Sequence, residues 1–113
     1  MLTIYHNPRC GKSRQTLKII HDSGQSAKVV EYLKVCPDFD TLKGLCEKLG
    51  MSPHELIRKG ETIYKEQFKG KALNDDEWLQ AMVEHPILIE RPIVVKNNKA
   101  VLGRPPENVN SLL

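Results

Sequence analysis

Hydrophobic and polar positions change their spacing along the chain in a way that separates strands from helices. Residues 1–5 alternate, which predicts a strand, and the segment from Ser13 to a cap at Gly24 follows helical spacing. Residues 27–33, AKVVEYL, predict a second strand. Because a helix connects the two strands, we expect them to pair in parallel as a βαβ unit.

The middle of the chain, about residues 38–86, predicts a helical insertion. Residues 38–50 carry apolar side chains at i, i+3, i+4 and i+7 and end at a glycine. Residues 52–60, SPHELIRKG, begin with the serine, proline and glutamate of a capping box, and we expect them to form a short helix. Residues 74–86 predict another helix, which begins at a capping asparagine and stops at a proline.

The last part of the chain returns to strand-like patterns. Residues 92–95, PIVV, and 100–102, AVL, flank Lys-Asn-Asn-Lys, which predicts an antiparallel hairpin because asparagine tolerates the left-handed backbone of tight turns. Residues 105–113 predict a closing helix. The order is β-α-β, a helical insertion, then β-β-α, which is typical of an α/β fold. With 113 residues, we expect one domain.

Composition and charge exclude several functional classes. No apolar run approaches the ~18 residues of a membrane span, so no membrane association is expected. The N-terminus lacks the pattern of a signal peptide, which favours the cytoplasm. The net charge of +3 comes from scattered lysines and arginines, so nucleic-acid binding is not expected. A few well-placed arginines match a small anion better.

The three cysteines, Cys10, Cys36 and Cys46, are an odd number without a close pair. This spacing is unlike a disulfide framework or a metal site, and in a reducing compartment we expect three thiols and no bound metal. Cys46 lies on the apolar stripe of a predicted helix, and Cys36 precedes a proline without a base nearby in sequence. We interpret both as structural.

Cys10 lies in YHNPRCGKSR, where the first strand is expected to meet the following helix, the usual place for ligands in such units. One interpretation is a small buried hydrophobe. The other is a thiolate nucleophile, favoured by the helix dipole and by nearby cations: His6, Arg9, Lys12 and Arg14. A C-x-x-C redox pair is excluded because Ser13 stands in the second position, and a phosphatase-type loop is excluded because Thr16 replaces its arginine.

The neighbours of Cys10 leave two roles open each. His6 is either a core histidine at a strand end or a partner of the thiolate. Ser13 either caps the helix or donates a hydrogen bond to the thiolate.

Three arginines, Arg58, Arg91 and Arg104, form a second candidate group. A single arginine is usually exposed, but Arg91 and Arg104 both precede proline, which restricts their backbone and the direction of their side chains. A guanidinium fork matches two oxygens of a tetrahedral oxyanion at once, so three converging arginines would form an oxyanion site. Pro92 begins a predicted central strand, and we expect a cis bond before it.

Four separated blocks, YHNPRCGKSRQTL, LIRKGE, HPILIERPIVV and GRPPE, resemble in order and spacing the glutaredoxin-type arsenate reductase family, including its uncharacterised arsenate-reductase-like members. The resemblance covers nearly the whole chain and implies a thioredoxin/glutaredoxin-like β-α-β-β-α core with a helical insertion between the second and third strands. It implies that Cys10 is the nucleophile and Pro92 the cis-proline, with His6 and Ser13 stabilising the thiolate. The oxyanion-binding residues implied are Arg58, Arg91 and Arg104.

The implied reaction is the glutathione-dependent reduction of arsenate to arsenite through a thiol-arsenate adduct on Cys10, completed by glutaredoxin. The implied partners are arsenate or a similar oxyanion, glutathione as co-substrate, and glutaredoxin. We expect the protein to be a monomer without a bound cofactor. Two alternatives are a glutathione-dependent thiol transferase for other substrates and a non-catalytic regulator similar to the Spx branch, which binds RNA polymerase. Arg9 and Lys12 add cations that the family pattern lacks.

Overall fold

The computed structural model describes residues 2–113, which form two compact units. The first unit contains the described residues through Val35 together with Arg91–Leu113, and the second is Cys36–Glu90. The insertion predicted at about 38–86 therefore falls inside the second unit. The prediction that the two units form one domain stays a prediction.

The first unit contains a four-stranded sheet: β1 (Leu2–His6), β2 (Ala27–Glu31), β3 (Ile93–Lys96) and β4 (Lys99–Leu102). The strand order is β2-β1-β3-β4; β1 and β2 are parallel, and the other pairs are antiparallel. Ile4 in β1 pairs with Val29 on one side and with Val94 on the other. The predicted parallel pair, hairpin and α/β class are thus confirmed.

Helix α1 (Gly11–Asp22) and the 3₁₀ segment Pro106–Leu112 pack on this sheet. Their shared core consists of Leu2, Ile4, Ile20, Val94, Val109 and Leu112. Burying an aliphatic side chain of this size stabilises the fold by about 1.5–3 kcal/mol. The segment predicted as a closing helix is a 3₁₀ helix, and it supplies two of the six core residues.

Some boundaries in the first unit differ from the prediction. Helix α1 begins at Gly11, earlier than the predicted Ser13, because Cys10 takes the extended N-cap conformation. Strand β2 ends at Glu31, since the Glu31 carbonyl accepts the Lys34 N–H at 2.9 Å and the chain turns. The hairpin turn places Asn97 at φ 55°, as expected for its left-handed conformation.

The second unit is helical: α2 (Phe39–Leu49), a 3₁₀ turn (Pro53–Leu56), α3 (Thr62–Gln67), α4 (Asp75–Glu84) and a 3₁₀ turn (Pro86–Leu88). Gly50 ends α2 in the left-handed conformation, at φ 67°. Capping boxes begin at Ser52 and at Asn74, where the sequence predicts helix starts. None of the helices described within residues 2–113 is long and apolar enough to cross a membrane.

Two parts of the insertion differ from the prediction. The helix predicted over residues 52–60 ends at Leu56, because Ile57 is extended and forms a bridge to Ile89. Helix α3 was not predicted, since it buries no residue and has no side-chain cap at its start.

Candidate active site

Cys10 lies in a tight turn between β1 and α1 and is half-buried. Its N–H donates to the Asn7 carbonyl at 3.0 Å, and its own carbonyl accepts the Arg14 N–H at 3.0 Å. Cys10 is the N-cap residue of α1, and its side chain makes no capping hydrogen bond of ordinary geometry to the described residues. Because the first N–H groups of a helix lack partners within it, they favour an anion here.

The pKa of the Cys10 thiol lies below its usual value. Burial raises the pKa of Cys10, but the Ser13 N–H, the Arg91 guanidinium and the Lys12 N–H together lower it by more. Lys12 therefore acts through its backbone rather than its ammonium group. The sequence predicts Arg91 as an oxyanion ligand and misses its contact with the cysteine. A lowered pKa increases the fraction of thiolate, which is the reactive form of a cysteine nucleophile.

His6 and Ser13 form a buried pair beside this turn. His6 Nδ1 lies 2.6 Å from Ser13 Oγ, and the Asn7 N–H donates to the same Oγ at 3.1 Å. Burial lowers the pKa of His6, although Glu31 raises it, and Arg14 adds a second lowering effect, so the net shift favours the neutral imidazole.

This arrangement bears on the alternative roles that the sequence leaves open for His6 and Ser13. Ser13 lies inside α1, so the interpretation of Ser13 as the helix cap is wrong. Its hydroxyl contacts His6 and Asn7, and only its backbone N–H acts on the Cys10 sulfur. His6 is a buried histidine at the end of β1, linked to the cysteine turn through Ser13. Direct stabilisation of the thiolate by the His6 side chain stays a prediction.

Two side-chain contacts that the sequence analysis missed hold the cysteine turn. The Arg9 N–H donates to Asn7 Oδ1 at 3.0 Å, an Asx turn that the Asn-Pro pair could have indicated. Arg14 Nη1 donates to the Pro8 carbonyl at 2.9 Å. The side chains of Arg9 and Lys12 are exposed.

Arg91 has two buried nitrogens, Nε and Nη1, that form no hydrogen bond with any described residue. A buried donor without an acceptor is unfavourable by about 1–3 kcal/mol, so a ligand oxygen is a favourable partner for such a group. The Arg91–Pro92 peptide bond is cis, and so is the Arg104–Pro105 bond, which was not predicted.

Arg104 is held against the segment that carries Arg91. Arg104 Nη1 donates to the Arg91 carbonyl at 3.2 Å, and the Gly103 N–H donates to the Pro92 carbonyl at 2.9 Å. A Cβ on Gly103 would lie 2.7 Å from Pro92 Cγ and would overlap Thr16 Oγ1 of α1. Close packing at a glycine thus joins the Arg104 turn, the cis-proline segment and the cysteine-bearing helix.

Arg58 belongs to the second unit and pairs with two carboxylates that the sequence analysis did not identify. Its Nη1 lies 2.9 Å from Glu90 Oε1, and its Nε lies 3.5 Å from Glu61 Oε2. The convergence of Arg58 with Arg91 and Arg104 on one anion stays a prediction.

The other two cysteines are free thiols in less reactive surroundings. Burial, followed by the charges of Asp75 and Glu47, raises the pKa of Cys46 to about 11. Burial also raises the pKa of Cys36. Both shifts favour the protonated thiol over the thiolate. Residues 2–113 contain no group of three or more metal-ligating side chains arranged to hold a metal ion.

Comparison of the sequence with known protein families identifies the family of this chain. The sequence profile of the ArsC family matches residues 5–112. The chain belongs to the ArsC family. The resemblance drawn from the four sequence blocks is therefore confirmed, and the thioredoxin-like fold class agrees with it.

Several ArsC relatives are similar over nearly their whole length. An Escherichia coli K12 protein named "Uncharacterized protein YfgD" is 50% identical over 108 residues, covering 94% of this chain and 91% of its own. A Neisseria meningitidis serogroup A protein named "Arsenate reductase" is 43% identical over 114 residues, covering 99% and 97%. A solved structure titled "Arsenate reductase from Vibrio cholerae" superposes with a TM-score of 0.95 at 46% identity, covering 99% of this chain and 97% of that one.

Proposed function

We propose that this ArsC-family protein is an oxidoreductase that reduces arsenate to arsenite through a covalent adduct on Cys10. The observation that carries the proposal is the juxtaposition of Cys10 at the start of α1 with Arg91, whose two buried donors, Nε and Nη1, have no acceptor among residues 2–113. The start of α1 favours a thiolate at Cys10, and the free donors of Arg91 favour an oxyanion next to that thiolate. Relatives named arsenate reductase support arsenate as that oxyanion.

In the proposed binding step, Arg91 and Arg104 hold the oxygens of arsenate. Arg104 also donates to the Arg91 carbonyl, so the Arg104 guanidinium is held next to the backbone that carries Arg91. We assign Arg58 as a third ligand because its LIRKGE block matches the family pattern, and its side chain is 22% exposed. Arg91 and Arg104 offset the negative charge of arsenate and lower the barrier to attack by a thiolate, whereas the charge of Arg58 is already balanced by Glu61 and Glu90.

In the proposed chemical step, the Cys10 thiolate attacks arsenic and displaces an oxygen as water or hydroxide, which forms a sulfur-arsenic bond. Glutathione then reacts with the adduct, and glutaredoxin completes the reduction. The thiols of glutathione and glutaredoxin each give up one electron and one proton and leave as a mixed disulfide, while arsenic gains the two electrons. Water then hydrolyses the bond between the Cys10 sulfur and arsenic, which releases arsenite and returns Cys10 as a thiol. Ser13 in place of a second cysteine agrees with an external source of thiols, and we place the reaction in the glutathione-containing cytoplasm.

The test is arsenate-dependent oxidation of glutathione, measured with glutaredoxin, glutathione reductase and NADPH. The Cys10→Ser variant is expected to lose all activity above background, because serine is a far weaker nucleophile at neutral pH. The matched control is Cys36→Ser, which changes a thiol of raised pKa in the other unit and should remain active. Arsenate reduction by the Cys10→Ser protein would reject the proposal.

The same assay separates the main alternative. A glutathione-dependent thiol transferase would turn over a small glutathione mixed disulfide in the absence of arsenate. Such turnover, without a response to arsenate, would replace arsenate reduction with thiol transfer as the function of Cys10.

A further inference from the structure

Arg58 and Glu90 are placed side by side by the backbone of the second unit. The Arg58 N–H donates to the Leu88 carbonyl at 2.7 Å, and the Glu90 N–H donates to the Leu56 carbonyl at 2.9 Å. These two hydrogen bonds lie on either side of the Ile57–Ile89 bridge. Glu90 therefore neighbours Arg58 because the main chain fixes both residues.

The side chains confirm this close pairing. Arg58 Nη1 lies 2.9 Å from Glu90 Oε1, whereas the distance from Nε to Glu61 Oε2 is longer, 3.5 Å. All three side chains are about three-quarters buried. A guanidinium has five N–H donors, and those of Arg58 beyond these two pairs make no hydrogen bond within residues 2–113. Arg58 can thus bind a ligand oxygen while Glu90 stays in place.

Two carboxylates beside one guanidinium change which anion can bind there. With both glutamates ionised, the group carries a formal charge of −1, and a carboxylate can only accept hydrogen bonds. A fully deprotonated oxyanion also only accepts, so it meets repulsion and no partner at Glu90. An oxyanion that keeps an O–H group donates to Glu90 while its other oxygens accept from Arg58.

We propose that Glu90 makes the Arg58 subsite selective for tetrahedral oxyanions that keep a proton, such as arsenate and phosphate at neutral pH, over sulfate. The inference rests on the proposed function, which assigns Arg58 as an oxyanion ligand. Glu90 is the specificity residue rather than Glu61, because its oxygen is closer to the guanidinium.

The first test changes the protein. Arsenate, phosphate and sulfate affinities are measured by calorimetry in a Cys10→Ser background, in which no adduct forms. Glu90→Gln keeps the size of the side chain and an oxygen for Arg58, but its amide can donate to sulfate. The ratio of arsenate to sulfate affinity is expected to fall roughly tenfold or more, the effect of one hydrogen bond to a charged group.

The matched control is Glu84→Gln, which removes the same charge from an exposed residue at the end of α4. It should leave the affinity ratio unchanged. An equal fall in both variants would show a general charge effect and would overturn the inference, as would an unchanged ratio in Glu90→Gln.

The second test changes only the ligand and needs no substitution at Glu90. Monofluorophosphate is a tetrahedral dianion like hydrogen phosphate, with fluorine in place of the hydroxyl group. It is expected to bind as weakly as sulfate, and binding equal to that of phosphate would overturn the inference. If arsenate binds but neither test shows selectivity for oxyanions that carry a proton, only the inference fails. If arsenate does not bind at all, the proposed function fails with it.

Discussion

Replacement of Gly103 by alanine is expected to disturb the segment that carries Arg104. A Cβ at this buried position would lie 2.7 Å from Pro92 Cγ and 3.1 Å from Thr16 Cγ2, and it would overlap Thr16 Oγ1. Non-bonded carbon atoms prefer separations of about 3.5–4.0 Å. The new methyl group therefore requires a displacement of about 1 Å at the proline.

Neither neighbour can move freely. Thr16 is fully buried, and its Oγ1 donates to the Lys12 carbonyl at 2.8 Å. The Pro92 ring is rigid, and the Pro92 carbonyl already accepts the Gly103 N–H at 2.9 Å. Overpacking of a core typically costs about 1–3 kcal/mol, and two constrained neighbours place this substitution near 3 kcal/mol. For a chain of 113 residues, that loss lowers Tm by about 10 °C.

The assay is urea unfolding followed by circular dichroism, with a thermal melt as a second measure. Gly44→Ala is the matched control, because Gly44 lies inside α2 and a Cβ there meets no atom within 4 Å. It is expected to stabilise the protein by about 0.5–1 kcal/mol through helix propensity. A Gly103→Ala protein as stable as the wild type would refute the close packing from which this prediction is made.

Three further predictions follow from the site and from the buried cysteine. Ser13→Ala leaves His6 Nδ1 and the Asn7 N–H without their buried partner, so the free energy of unfolding should fall by about 1–3 kcal/mol in urea titrations. Arg91→Met removes a group that lowers the pKa of Cys10, so alkylation of Cys10 by iodoacetamide at neutral pH should slow. Because burial raises the pKa of Cys46 from 9.0 to about 11, its neutral thiol contributes fully to stability below pH 9.0, and that contribution is lost as the pH rises to about 11. The stability of the wild type relative to Cys46→Ala should therefore fall by about 2–3 kcal/mol across that window.

Each of these predictions has a contrary result. Unchanged stability in Ser13→Ala would contradict the buried His6–Ser13 pair. Alkylation of Arg91→Met at the wild-type rate would show that the guanidinium does not act on Cys10. A constant stability difference between wild type and Cys46→Ala from neutral to alkaline pH would show that Cys46 titrates normally.

The features that could be predicted from the sequence depend on contacts between near neighbours. The capping boxes at Ser52 and Asn74 each join residues three positions apart, so their spacing alone identifies them. The hairpin at Asn97 needs only a two-residue turn between alternating segments. Helix α3 carries no such signal, and the end of the 3₁₀ turn at Leu56 depends on pairing of the following residue with distant Ile89.

In the candidate site, too, contacts between sequence neighbours could be predicted and contacts between distant segments could not. Cys10 at a helix start could be recognised because the loop, the cations and the helix are adjacent in sequence. The contact of Arg91 with Cys10, the pairing of Glu90 with Arg58 and the close packing at Gly103 each join separate segments. No local spacing encodes these contacts, since they arise from strand order and from the backbone bridge in the insertion.

The central claim is that Cys10 is a thiolate stabilised by the start of α1 and by Arg91. The most direct measurement is a pH titration of the ultraviolet absorbance of the thiolate in a Cys36→Ser, Cys46→Ser protein, in which Cys10 is the one cysteine left. The account predicts an apparent pKa below the 9.0 of an unperturbed cysteine, which rises when Arg91 is replaced by methionine. An apparent pKa at or above 9.0, unchanged by that replacement, would contradict it.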